Sequence, residues 1–290
     1  MDTVLDISAA KVFYDGLLTE PRLDHPEGLA VHRDGSVWCG GERGQIYRIE
    51  PDASSIEQLA STGGFSQGMA FDAEDNLYFC DLKHGAVMRL DAKSGVLERF
   101  ADGAEGSGIN IPNYPAFDAE GRLYVSDSHA FKEPGPGIFR FEPDGTGELW
   151  YEDPIDFANG LALSADGGHL YVAETFGNTV FRIAIEDDGS AGMREEVASL
   201  TGVLPDGLAF DTENNLYVAC YEPSQVLRVA PDGTIARLIG DEEAHLFCHP
   251  TNLAFRGGTL FTTNLGRWHI TAVDTTAEGL PLYGGYSGGR

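Results

Sequence analysis

The sequence is poor in basic residues: 19 Lys and Arg stand against 46 Asp and Glu in 290 residues, for a formal charge of −27. Such a field repels phosphate backbones and anionic headgroups, which argues against nucleic acid or a membrane surface as partner. No apolar run approaches the roughly 20 residues of a bilayer-spanning helix. The opening MDTVLDISAAKVFYDG has neither a basic n-region nor an apolar h-region, so a cytoplasmic protein is expected. The four cysteines, Cys39, Cys80, Cys220 and Cys248, are widely spaced and form no CxxC pair, which removes a disulfide framework or a thiolate zinc site from consideration. They read as buried free thiols. A long amphipathic helical pattern is missing too, so nothing competes with short strands.

What is present is a repeat. The segment FANGLALSADGGHLYVAET, Phe157–Thr175, has counterparts built on HPEGLAV, SQGMAF, PNYPAF, PDGLAF and PTNLAF. Each continues through a turn such as Asp34-Gly35 or Glu120-Gly121 into a second strand (VWCGG, LYFCD, LYVSD, LYVAE, LYVAC, LFTTN) and then a third. Runs of this kind broken by Gly, Asp, Asn and Pro are strand signals. Aligned on the apolar triplet, the residues at the head of each unit are Glu27, Gln67, Asn113, Asn159, Asp206 and Thr251, 40 to 47 residues apart. That period, with three or four strands per unit, predicts an all-β six-bladed propeller as one domain over residues 1–290. The extra strand near Lys11–Tyr14 should complete the last blade and close the ring. The Gly-rich tail Gly284–Arg290 reads as a dispensable end. The longest irregular insertion, Ser128–Gly137, should overhang the channel mouth.

Taken singly, Asn159-Gly160 or Asp206-Gly207 is a favoured turn dipeptide. The set says more, because all six head residues carry oxygen and none is apolar. In a propeller the first strand of each blade lines the channel, so equivalent positions share one height and six distant residues become a ring. The ends of the second strands return to the same mouth and add Glu42, Asp81, Asp127, Glu174, Tyr221 and Asn264 as a second tier. Two carboxylates in a narrow channel resist ionising together. One divalent cation resolves that, and oxygen-only donors suit Ca²⁺ first, with roughly 6–8 oxygens at about 2.3–2.6 Å. Mn²⁺, Mg²⁺ and Fe²⁺ remain open, and Zn²⁺ is disfavoured without His or Cys in the ring.

With these residues in hand, the chain resembles the gluconolactonase, senescence-marker-protein (SMP-30) and luciferin-regenerating-enzyme family of six-bladed propellers. The resemblance is carried by HPEGLAV, PNYPAFDAEGRLYVSD, FANGLALSADGGHLYVAET and LPDGLAFD. It implies a divalent metal held by Glu27, Asn159 and Asp206. It also implies that Asn113 contacts substrate, or completes a calcium cage as in related phosphotriesterase and paraoxonase propellers. In sugar-lactone-specific members an Arg stands two residues before the blade-three Asn and an Asp follows it. Here those positions are Ile111 and Tyr114, which suits a polyhydroxylated lactone less.

The expected activity is therefore metal-dependent lactone hydrolysis, with the carbonyl polarised by the metal and Asp206 activating water. Gln67 and Thr251 should shape the pocket wall beside Asn113 and Asp127, while Tyr114, Tyr221 and Phe131 supply apolar surface. His129 and His249 are the histidines placed to assist, although a lone His is more often packed or solvated. Alternatives are phosphotriester or aryl-ester hydrolysis in the same cage, a metal-free strictosidine-synthase-like enzyme, or a non-enzymatic binding propeller. The expected partner is a small lactone or ester, with the protein a monomer or weak dimer.

Overall fold

Short apolar runs separated by Asp- and Gly-bearing turns fold here into antiparallel meanders. The Asp that follows a first strand makes its own turn: Asp72 accepts from the N–H groups of Glu74 and Asn76. Asp118 does the same for Glu120 and Arg122, and Asp211 for Glu213 and Asn215. Part of the acid excess is therefore structural.

The structure is a computed structural model that describes residues 3–91 and 93–281. Six four-stranded sheets make the blades of a propeller. Blade one contains Leu29–Val31, Val37–Gly40, Gln45–Ile49 and Ile56–Ser61, and blade two Ser66–Phe71, Leu77–Asp81, Ala86–Leu90 and Leu97–Ala101. Blade three runs from Pro112–Phe117 through Leu123–Asp127 and Gly135–Phe141 to Gly147–Ile155. Blade four comprises Ala158–Leu163, His169–Glu174, Thr179–Ile185 and Ala191–Ser199, and blade five Leu204–Phe210, Leu216–Glu222, Gln225–Val229 and Ile235–Gly240. Pro250–Arg256, Thr259–Asn264 and His269–Asp274 form blade six. Its outer strand is the N-terminal Ala10–Asp15, paired antiparallel with His269–Asp274, so the ring closes as expected.

Two details differ from expectation. The irregular stretch after Ser128 is shorter, because Gly135 and Pro136 already pair with Ile155 and Pro154. A small hairpin, Gly103–Ala104 with Ser107–Gly108, precedes blade three. The tail Gly284–Arg290 lies outside the described residues. Among those described, the helical element is a single 3₁₀ turn, Ile7–Ala9, and no helix is long and apolar enough to cross a membrane. All four cysteines are free thiols, with Cys39, Cys80 and Cys220 buried.

Blades are held together by a repeated edge-to-face ring contact. An aromatic residue near the start of a second strand meets the Phe at or next to the end of the next blade's first strand. Trp38 meets Phe71 with ring centroids 5.2 Å apart, Tyr78 meets Phe117 at 5.0 Å, Tyr171 meets Phe210 at 4.9 Å, and Tyr217 meets Phe255 at 5.1 Å. Such pairs add about 0.5–1.5 kcal/mol each beyond their buried area. Beneath the head residues the first strands enclose an apolar cavity of about 320 Å³, lined in part by Leu29, Phe117, Leu163 and Phe210. Phe117→Ala should therefore cost about 3–5 kcal/mol of unfolding free energy in urea titrations, and a loss below 1 kcal/mol would show that the inter-blade ring contact is dispensable.

Candidate functional site

Five of the six head residues sit on an irregularity in their strand. Pairing between first and second strands shifts register between Ser66 and Met69, Pro112 and Pro115, Ala158 and Leu161, Pro205 and Leu208, and Pro250 and Leu253. Gln67, Asn113, Asn159, Asp206 and Thr251 each fall inside one of these intervals. A bulge breaks the alternation of side chains and re-aims the residue it carries. Asn159-Gly160 is thus not the turn that its dipeptide suggests. Its glycine serves close approach, since a Cβ on Gly160 would collide with the carbonyl oxygen of Asp206, as one on Gly28 would with that of Gln67.

Contacts of this kind link each head residue to the next around the channel. A Cβ on Gly68 would meet the Asn113 carbonyl at 2.8 Å and one on Gly207 the Thr251 carbonyl at 2.6 Å. Between blades three and four, Ser126 Oγ accepts from Tyr114 N–H at 2.9 Å and donates to Asn159 O at 2.7 Å. The ring closes between blades six and one, where the hydroxyls of Thr251 and Thr263 donate to Glu27 O at 2.9 and 2.7 Å. Thr251 is thus a latch between blades, with its hydroxyl turned to backbone.

The two asparagines are oriented by hydroxyls. Ser128 Oγ accepts from Asn113 Nδ2 at 3.0 Å and donates to Ala158 O at 2.7 Å. Thr175 Oγ1 accepts from Asn159 Nδ2 at 3.2 Å and donates to Pro205 O at 2.8 Å. Each hydroxyl engages the amide nitrogen and leaves the amide oxygen turned away. The result is a set of buried oxygens with no hydrogen-bond partner: Glu27 Oε2, Gln67 Oε1, Asn113 Oδ1, Asn159 Oδ1 and Asp206 Oδ1. Asn252, at the position where four other blades carry glycine, also has both amide atoms unpartnered. An unmade bond at a buried polar atom costs about 1–3 kcal/mol. Carboxylate and amide oxygens without an intervening donor are the ligand set of a hard divalent cation, so these residues fit such an ion.

Electrostatics point the same way. Burial pushes the Glu27 carboxyl from its ordinary 4.5 up to about 7, opposed by the Thr251 hydroxyl and helped by the charge of Glu42. Burial also raises Asp206 well above the usual carboxylate range; the Glu27 charge adds to this and the Asn159 amide opposes it. Tyr114 is held up by burial and then by Asp206, and Tyr221 by burial and then by Glu27 and Asp206. Glu27, Asp206, Asn159, Tyr114 and Tyr221 therefore share one electrostatic neighbourhood.

The second tier is different in kind. Asp127 accepts from the backbone N–H groups of Asn110, Ile111 and His129 at 2.8–3.0 Å. Asp81 accepts from Phe65 and His84 N–H, Glu174 from Asp156 N–H and Arg194, and Asn264 from Cys248 N–H. These four anchor the segment leading into their own blade's first strand. Glu42 lies at the mouth, where its carboxylate comes within 4.8 Å of ligand atoms on Asp24 and His25. That trio is a weaker cation candidate: Asp24 already binds Gln45 and Arg43, and Glu42 is exposed. His129 Nδ1 meets the Asn110 amide at 3.1 Å. His249 stacks on Tyr221 with centroids 4.5 Å apart, its Nδ1 3.2 Å from Tyr221 O and 3.1 Å from Glu222.

A six-bladed propeller with an oxygen-only ring at one channel mouth defines a class, and sequence comparison supplies the family. Residues 42–264 match the SMP-30/Gluconolactonase/LRE-like region, and the chain belongs to that family. A match to the strictosidine synthase-like N-terminal region is confined to residues 17–49. The 6-deoxy-6-sulfogluconolactonase of Pseudomonas putida is 26% identical over 237 residues, 80% of this chain and 79% of its own. Lactonase drp35 of Staphylococcus aureus is 28% identical over 243 residues, 77% and 74% of the two chains. Two solved structures share the fold. A gluconolactonase from Xanthomonas campestris superposes with a TM-score of 0.76 at 22% identity over 93% of this chain and 89% of that one. The calcium-binding protein regucalcin from Agrobacterium tumefaciens does so with 0.75 at 18% over 98% and 99%.

The Glu27 shift has a sign that stability measurements can read. A carboxyl whose folded value lies above its unfolded one contributes stability that is complete below about 4.5 and is lost as pH rises through about 7. In protein treated with chelator, Glu27→Gln should raise stability at pH 8 and change it little at pH 4.5. A variant less stable than wild type at pH 8 in thermal unfolding would contradict the geometry described.

Proposed function

We propose that the protein is a lactone hydrolase whose ring holds one divalent cation, Ca²⁺ before Mn²⁺, Mg²⁺, Fe²⁺ or Zn²⁺. The observation that carries this reading is that the head residues Glu27, Asn113, Asn159 and Asp206 each present a buried oxygen with no hydrogen-bond partner. Gln67 Oε1 belongs to the same unpartnered set and widens it by one donor. The family and its lactonase relatives support the reaction class. The calcium-binding neighbour in fold is consistent with the ion.

When bound, the cation supplies Lewis-acid polarisation of a carbonyl and charge for a developing oxyanion. The chain's own residues do the rest. Ser128 and Thr175 engage the Asn113 and Asn159 amide nitrogens and leave the amide oxygens without a competing partner. The Asp206 carboxylate, through the oxygen not counted among the cation donors, takes a proton from the water that attacks the lactone carbonyl, and the same proton passes to the ring oxygen when the ester bond breaks, leaving a hydroxy acid. Tyr114 and Tyr221 wall the site beside the carboxylates and limit its water.

Lactone turnover should disappear when divalent cations are stripped by chelator and return on adding back Ca²⁺ or another ion of the series. Asp206→Ala and Glu27→Gln should each lower kcat/KM at least 100-fold, about 2.7 kcal/mol of transition-state stabilisation. Undiminished turnover of a good lactone after complete stripping, or near-native activity in both variants, would remove the ring from the reaction.

A further inference from the structure

The rim of the candidate site is formed by the residues two positions ahead of the heads: His25, Phe65, Ile111, Phe157, Leu204 and His249. Three of them, His25, Phe157 and His249, hold left-handed backbone with φ of 42°, 69° and 52°. Bulky side chains rarely adopt that conformation, and it persists only where the surroundings impose it. The imidazoles belong to blades one and six, while Phe157 belongs to blade four. In a ring of six, blades three and four lie across the channel from blades six and one, so the mouth has a polar side and an aromatic side.

The aromatic side is larger than one ring. Phe157 and Phe176 lie with centroids 5.0 Å apart, Phe176 and Phe131 at 5.0 Å, and Phe131 and Phe157 at 6.5 Å. Phe131 is 68% exposed, and the Lys132 ammonium lies 5.4 and 5.7 Å from the Phe131 and Phe176 centroids. All three rings stand on the supports of the ring below. Phe157 is two residues from Asn159, Phe176 directly follows the Thr175 that orients Asn159, and Phe131 follows three residues after the Ser128 that orients Asn113. A lone exposed Phe needs no explanation, but an exposed Phe131 seated on two partly buried rings at the rim of the candidate site does. Three side chains are too few for a stable protein contact, which takes roughly 20–30 residues a side, and three clustered rings suit a small apolar substituent such as an alkyl chain or one phenyl group.

We propose that Phe131, Phe157 and Phe176 form a shelf that receives an apolar alkyl or aryl substituent of the substrate lactone, with the polar end directed toward His25, His249 and Tyr221. This rests on the lactone-hydrolase reading and names the substrate class of that same site. Ile111, partly buried beside this shelf at the blade-three position two before Asn113, brings an aliphatic side chain and no hydrogen-bond donor for a sugar hydroxyl.

The test is kcat/KM for the cation-loaded full chain on γ-lactones bearing no substituent, butyl, hexyl or phenyl, and on a polyhydroxylated δ-lactone. Wild type, Phe131→Ala and Phe131→Leu are compared. Each methylene laid on the shelf should raise kcat/KM about fourfold, so the hexyl lactone should exceed the unsubstituted one by more than tenfold. Phe131→Ala should cut that ratio at least tenfold, and Phe131→Leu should restore most of it. A wild-type ratio near one, a preference for the polyhydroxylated lactone, or an unaltered ratio in Phe131→Ala overturns the shelf while leaving the hydrolase intact. An inert panel overturns the hydrolase reading itself, and the shelf's assignment to a lactone with it.

Discussion

Two carboxylates, Glu27 and Asp206, are buried at one end of a channel within reach of each other's charge, and the fold is arranged to keep them there. Neither position follows from strand propensity or core packing, both of which disfavour a buried charge. Beside them in the ring stand the Asn113 and Asn159 amides, whose nitrogens are engaged by scaffold hydroxyls and whose oxygens have no hydrogen-bond partner. An arrangement that concentrates acceptors and withholds donors is costly for the chain alone and favourable for a hard cation.

The scaffold that imposes this cost is distributed. Ser126, Ser128, Thr175 and Thr263 each carry a hydrogen bond from the end of one blade's second strand to the next blade's head segment. Strand bulges supply the local re-aiming, glycines allow the neighbouring backbones to touch, and edge-to-face aromatic pairs fix the blades at greater radius. Because Ser128, Thr175 and Thr263 bind both a head side chain and the adjoining blade, blade packing and ring geometry are mechanically one feature. The closing strand Ala10–Asp15 matters for the same reason, since blade six brings Thr251 and Thr263 to Glu27.

Much of this is readable before any coordinates. The spacing of 40 to 47 residues and the recurring apolar triplet already specify six blades, and the orphan strand near Lys11 specifies the closure. The head residues stand out only as a set, because each alone has an ordinary local explanation. What stays hidden is partnership across blades. Asp127 carries the same letter whether it faces a substrate or clamps three backbone N–H groups, and only the fold distinguishes the two. Thr251 likewise looks like a pocket residue until its hydroxyl is found on Glu27 O. The Asn159-Gly160 dipeptide suggests a turn because bulges and turns draw on the same residues. Ser128 and Thr175 do leave a trace, as hydroxyl residues one place beyond the second strands of the two blades whose heads are asparagine.

The central proposal is that the ring, and not the Asp24, His25 and Glu42 trio at the mouth, is the cation site. Calorimetric titration of Ca²⁺ into stripped protein tests this most directly. The account predicts one equivalent bound, abolished by Asp206→Ala and retained in Asp24→Asn. Absence of binding, or binding that survives Asp206→Ala and is lost in Asp24→Asn, would contradict it.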